Sequence, residues 1–390
     1  MVFSNQVFGG KCSKAVLITV SSLALTSTLV GCGGGGGGSD TSTTTTNDKT
    51  VSSTPVASVV DSSTTTSVNT GAENNNTPEA AALTLLNNNR TQCGFGGLTR
   101  KAALDTTASN HANYLKLASE TNHMAMASHY ETVVTDSLNQ TLAETGLTND
   151  YYSGQTVNER LNPTTLGSKA IDTAYASNGH GENLAMMTYS SVSSSYVTSD
   201  TVAAHDMLMG LFAAPYHMKG LLVPQYTEVG ISHQQAKWFT SPYYYTGHIL
   251  EIVSALPNTV KPRANQQLLN FPCDGVITDY QLTNETPNPF GDKRDLKARP
   301  IGQPVYVLAP SDKVIGSASM TLSENGQSAG YIHVMTKDND PNGSLAANEV
   351  VFMPDAPLKP NTLYQATYRL TYTDGSAANQ SIKFTTKATS

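Results

Sequence analysis

Charge is scarce in this chain. Only 14% of its 390 residues are Asp, Glu, Lys or Arg, and 23 basic side chains against 30 acidic ones leave a net charge of −7. Without clustered cations to displace phosphate counterions, nucleic acid is excluded as a partner. Beyond Val30 no apolar stretch is long enough to cross a bilayer. Catalytic signatures are scarce too: there is no His-Glu-x-x-His pair, no phosphate-cradling glycine loop and no cysteine beside a plausible base. Any reactive site has to be assembled by folding, from residues far apart in the chain.

What is present begins with an export pattern. Lys11 and Lys14 precede an apolar stretch, Ala15 to Val30, that is short for a membrane span and interrupted by serines and threonines. It ends in Leu29-Val30-Gly31-Cys32. A basic start, a short hydrophobic core and small residues before a cysteine predict a signal peptide over 1–31. The last four residues resemble the bacterial lipobox, which implies cleavage before Cys32, acylation of its sulfur and anchorage in a bacterial cell envelope. Gly33 rather than Asp points to the outer membrane. From Gly33 to about Asn76 the composition is Gly, Ser, Thr and Asn, with too little apolar surface to offset the entropy of ordering a backbone. Residues 32–76 are expected to form a disordered tether with a reach of roughly 35–40 Å.

The remaining roughly 310 residues exceed one ordinary core and suggest two domains, 77–256 and 257–390. Thr77-Pro78-Glu79 predicts a helix start, with Thr77 as N-cap and Pro78 where a missing N–H costs nothing. That helix runs to Cys93-Gly94. A second is expected from Thr99 to Ser119, where Leu104, Ala108, His111 and Leu115 recur at helical spacing and place His111 on the buried stripe, as a core histidine rather than a ligand. A third spans Thr201 to about Phe212 and stops before Pro215. Alternating apolar residues over Thr227–Gln234 and Tyr244–Ser254, with Ser241-Pro242 between, predict an antiparallel hairpin.

Within this first part, a carboxylate in Gly181-Glu182-Asn183 stands between two separated imidazoles, His129 and His217. With His111-Ala112, Ser128-His129, Pro215-Tyr216-His217 and Tyr226-Thr227-Glu228-Val229-Gly230-Ile231-Ser232, that order resembles the CAP superfamily, the cysteine-rich secretory, antigen 5 and pathogenesis-related proteins, in its bacterial SCP-like branch. Gly154-Gln155-Thr156-Val157-Asn158-Glu159-Arg160-Leu161 matches a short family segment before the GEN tripeptide. The resemblance covers about 79–256. It implies an α-β-α sandwich and a large cleft formed around His129, Glu182, His217 and Asn183, with apolar ligands of which an envelope lipid or a peptide suits a bacterium. It also implies metal ligation by His129, Glu182 and His217. The chain departs from the family late in the third helix, where Gly210-Leu211-Phe212-Ala213 replaces a second glutamate and only His205 and Asp206 lie near. Zinc or another divalent cation is therefore expected to bind weakly, and no cofactor is required.

Two readings of Glu182 stay open: a ligand, or a carboxylate that ties loops together. His123 competes with His129 for its role. His233 and His248 lie on strands, where an exposed or hydrogen-bonded role is expected; Glu228 is expected in solvent or paired across the hairpin, and His180 in a loop at the rim.

The C-terminal part carries short strand-like runs at 304–308, 318–322, 331–335 and 349–353, separated by Gly, Pro, Asn and Asp, with no helical stretch. These predict an all-β sandwich, and the ending from Leu358 to Thr386 resembles bacterial immunoglobulin-like domains. The overall expectation is α+β. With Cys12 removed and Cys32 acylated, Cys93 and Cys273 remain as a pair in an oxidising compartment and are expected to form a disulfide.

Three functions fit. The first is a non-enzymatic envelope lipoprotein that binds a small ligand or partner in its cleft. The second is a metal-assisted hydrolase with Glu182 as general base beside His129 and His217. The third is an adhesin or matrix protein that makes its contacts through the β-sandwich.

Overall fold

In the computed structural model, residues 76–161, 175, 179–192 and 199–389 are described. The expected signal peptide, the expected acylation site Cys32 and the expected tether up to residue 75 lie outside them. Thr77 caps the first helix through its Oγ1, which accepts from Ala80 N at 3.2 Å, and α1 runs over Pro78–Gln92. A two-residue strand β1 (Thr99–Arg100) precedes α2 (Ala102–Asn122), so the second helix starts later and ends later than its periodicity suggests. A short α3 (Val157–Leu161) follows a long irregular segment.

His180, expected in a loop, instead opens a strand, β2 (His180–Ser191), which also carries the GEN tripeptide. After α4 (Asp200–Ala213), Pro215 starts a further helix, α5 (Pro215–Leu221), instead of only ending one. Proline lacks only an N–H that the first turn leaves unpaired in any case, so it serves as a start as readily as a stop. The hairpin β3 (Glu228–Thr240) and β4 (Tyr243–Ala255) is longer than expected and turns through two residues, with Thr240 paired to Tyr243.

These strands form one sheet in the order β1-β3-β4-β2, antiparallel except where β1 runs parallel to β3. Helix α2 packs on one face, against β3 and β4; α1, α4 and α5 lie on the other. Gly230 in β3 permits the close approach of α2, because a Cβ there would overlap the Leu104 backbone.

The C-terminal part is all β. Strands β5 (Leu269–Phe271), β6 (Ile277–Thr278), β7 (Val305–Leu308), β8 (Ile315–Glu324), β9 (Gln327–Ser328), β10 (Ile332–Thr336), β11 (Glu349–Pro354), β12 (Leu363–Tyr372) and β13 (Ala377–Thr386) form two sheets, β10-β11-β7-β5 and β6-β13-β12-β8-β9. Between them Phe352, Tyr368 and Phe384 fill a sandwich core. The chain is thus α+β with a β-sandwich at its end. The helical part and the sandwich share a second core: Leu208, Phe212 and Leu221 pack with Phe271, Ile301, Met335 and Met353, and the Phe212 and Phe271 rings stack at 4.7 Å. Cys93 and Cys273 form a disulfide across the same junction. Among the described residues no helix is long and apolar enough to cross a membrane.

Candidate functional site

His111 organises the loop that follows α2. Its ring is fully buried; Nε2 lies 2.9 Å from Ser128 O and Nδ1 lies 3.0 Å from Glu131 Oε1. A carbonyl oxygen can only accept, so Nε2 carries a proton. Burial, then the Arg160 charge, lowers the ring's pKa. Glu131 in turn accepts from Ser153 N at 2.6 Å and Ser153 Oγ at 3.0 Å. This is the core role that helical spacing suggests, and it fixes the segment carrying His129.

His129 meets Glu182 directly, with 2.7 Å between Nδ1 and Oε2. The other carboxylate oxygen of Glu182 accepts from Arg160 Nη2. Burial alone would raise the Glu182 carboxyl, but the Arg160 guanidinium, then His111 and His129, outweigh it and hold the group well below the usual carboxylate range. An ionised carboxylate only accepts, so His129 donates from Nδ1. Both oxygens of Glu182 are engaged, and it orients His129. Arg160, fully buried, also donates to His129 O at 3.3 Å and Gly154 O at 3.3 Å, closing the segment that the sequence marks with an arginine. Glu251, on the neighbouring strand, is fully buried; burial, then the Glu182 charge, pushes its pKa well above the usual range, so it stays protonated. The ligand atoms of His111, Glu182 and Glu251 lie within 4.8 Å of one another, yet both His111 nitrogens are bonded, Glu182 is neutralised by Arg160 and Glu251 holds its proton. That group is a structural knot.

His217 sits at the start of α5. Its Nδ1 lies 3.3 Å from Oε1 of Glu285, which lies between β6 and β7 of the C-terminal part. The same oxygen accepts from Tyr216 N at 2.7 Å and His217 N at 3.3 Å. Ala214, at the N-cap position, has no side-chain acceptor to offer, so Glu285 caps the helix from elsewhere in the chain. Burial raises the Glu285 carboxyl, and His217 opposes the rise. No sequence pattern flags this glutamate.

The two imidazoles stand 6.2 Å apart, ring centre to ring centre, on the wall of a cleft of about 1180 Å³. The cleft follows edge strand β2 between the loop after α2, helix α4 and residues 279–286. Met124, Met126, Met186, Met187 and Met207 line it, with Asp206 and Glu285. Glu182 lies behind this wall. Asn183 is 1% exposed and its amide packs toward Gly220 of α5, so it does not line the cleft. His123 closes α2 in a left-handed conformation and is not on the cleft wall. Glu228 accepts from Tyr175 Oη at 2.7 Å and pairs with Lys101 Nζ at 3.2 Å. Gly326-Gln327-Ser328-Ala329-Gly330 spells Gly-x-Ser-x-Gly, but it forms a turn with the two-residue strand β9 and leads into no helix, so it builds no nucleophile elbow.

No protein-family model and no curated protein matches the sequence. Among solved structures the chain is similar to CopC from Methylosinus trichosporium OB3b, at 13% identity over 33% of this chain and 97% of that one, with a TM-score of 0.21. It is also similar to PcoC, a copper resistance protein from Escherichia coli, at 13% identity over 32% of this chain and 100% of that one, with a TM-score of 0.20. At these scores neither likeness bears on fold or function.

Proposed function

We propose that this chain is a CAP-type lipoprotein of the bacterial envelope whose cleft binds an extended, largely apolar ligand, an envelope lipid or a peptide, through its polar end. One observation carries the reading. Two carboxylate-oriented imidazoles, Glu182–His129 and Glu285–His217, flank one methionine-lined cleft. Methionine is flexible and polarisable, and suits a surface that must fit ligands of variable shape. The paired imidazoles meet the polar end, directly or through a weakly held zinc ion, since a carboxylate on the far nitrogen is the usual support of a metal-binding histidine. Glu285 supplies an acidic partner in place of the glutamate missing from the end of α4. The hydrolase reading is weaker, because Glu182 has both oxygens engaged and stays ionised at low pH, which makes it a poor base. The adhesin reading is weaker as well, because residues 279–286 of the sandwich side form a wall of the cleft.

Native mass spectrometry of the purified protein is expected to find a co-purifying lipid or peptide that is lost in His129→Ala/His217→Ala. An empty wild-type cleft, or unchanged ligand content in the double variant, overturns the proposal. Location is tested separately. Cys32→Ser is expected to abolish fatty-acid labelling and release the chain from the membrane fraction, and unchanged labelling removes the anchor.

A further inference from the structure

Asp200, His233 and His248 come together on the sheet face opposite Glu182 and Glu251. His248 pairs with Gln235 across the hairpin, so His233 is its diagonal neighbour and both side chains point to the same face. That face is covered by α4, and Asp200 stands in its first turn. His233 Nε2 lies 3.2 Å from His248 Nδ1, and Asp200 Oδ1 lies 3.4 Å from the same nitrogen. All three donor atoms fall within 4.8 Å of one another.

We propose that Asp200, His233 and His248 form a divalent-metal site of the zinc class, separate from the cleft. Zinc bonds of about 2.0–2.1 Å at tetrahedral angles put neighbouring ligand atoms about 3.3 Å apart, close to both separations measured. Two imidazole nitrogens and one carboxylate oxygen are a borderline donor set that suits zinc better than the harder magnesium or calcium. Three protein ligands leave a fourth position for water, and the Asp200 side chain, 49% exposed, opens that side to solvent while the His248 ring is fully buried. Gln235 Nε2 donates to Asp200 Oδ1 at 3.1 Å and steadies the carboxylate. On the far side of His248, Nε2 has no hydrogen-bond partner, so nothing there competes for the choice of tautomer.

The charges around the site favour the ligand forms. Burial lowers both ring pKa values, that of His248 to about 4 with His233 adding to the fall, while Asp200 acts against the shift in both rings, Glu79 in His233 only, and Lys237 adds to it in His248. Neutral imidazole is the form that binds metal. A proton on His248 Nδ1 shared between His233 Nε2 and Asp200 Oδ1 would draw the same three atoms together without a metal, and cobalt titration separates the two arrangements.

The test is Co²⁺ titration of the purified full chain, read by the intense visible absorption of tetrahedral cobalt and by displacement with Zn²⁺. One tetrahedral cobalt per chain is expected. It should be absent in His233→Ala/His248→Ala, retained in His129→Ala/His217→Ala, and bound at least about 10–100-fold more weakly in Asp200→Asn, as strongly as loss of an outer-shell partner or more. Asp200 is half exposed, so this last variant decides the matter if the double histidine variant fails to fold. No tetrahedral cobalt in the wild type, or an affinity unchanged in Asp200→Asn, overturns the proposal. So does a signal lost with His129 and His217 instead.

Discussion

His217 and Glu285 bind each other across the junction of the helical part and the sandwich, 3.3 Å apart. The carboxylate both orients the ring and caps α5. Glu285→Ala is therefore expected to cost about 0.5–2 kcal/mol of stability, the range for a lost helix cap. It should also weaken divalent-ion binding in the cleft by about 10–100-fold. Urea unfolding checks the first and zinc calorimetry in a His233→Ala/His248→Ala background, which removes the second site, checks the other; an unchanged zinc affinity there would detach Glu285 from the cleft.

Arg160 neutralises the Glu182 carboxylate in a fully buried setting. Arg160→Met should destabilise by about 3–5 kcal/mol, because it strands a buried charge. Arg160→Met/Glu182→Gln should recover part of that loss. A double variant no more stable than the single one would show that packing around Arg160 matters more than charge.

Glu251 gives a pH signature. Its pKa is raised on folding, so its contribution to stability is full below the unfolded value of about 4.3 and is lost as pH rises toward the raised folded value. Glu251→Gln copies the protonated shape without that loss. It is expected to match the wild type near pH 4 and exceed it in urea midpoint at pH 7 and above. Parallel pH profiles for the two proteins would mean that Glu251 is ionised in the fold.

The Cys93–Cys273 bond closes a loop of 180 residues. In the chain-entropy account a closure of that length contributes on the order of 5 kcal/mol. Cys93→Ser/Cys273→Ser should lower the urea midpoint accordingly, and thiol counting of the denatured wild type under non-reducing conditions should find neither cysteine free.

The sequence carried the parts of this molecule that depend on local rules. The Thr77 cap, the buried stripe through His111, the hairpin and the short strands of the sandwich follow from spacing and turn chemistry, and the disulfide from cysteine elimination. Pro215 misled, because the same residue ends one helix and begins another. Glu285 was invisible, since it meets His217 only through the packing of one part of the chain on another. The Asp200 group was half legible. A two-residue connection at Ser241-Pro242 fixes the register of the whole hairpin and makes His233 and His248 diagonal neighbours, but the expected connection was longer and left the register open.

The core shared by Leu208, Phe212 and Leu221 with Phe271, Ile301 and Met353 has a consequence for how the molecule is made. The chain emerges from the ribosome N-terminus first, so α4 and α5 arrive with an uncovered apolar face. That face stays wet until strand β11, more than a hundred residues later, has followed. Through that interval the leading half is an unfinished surface, exposed to aggregation and to chaperones alike. A stop codon near residue 256 would make the condition permanent.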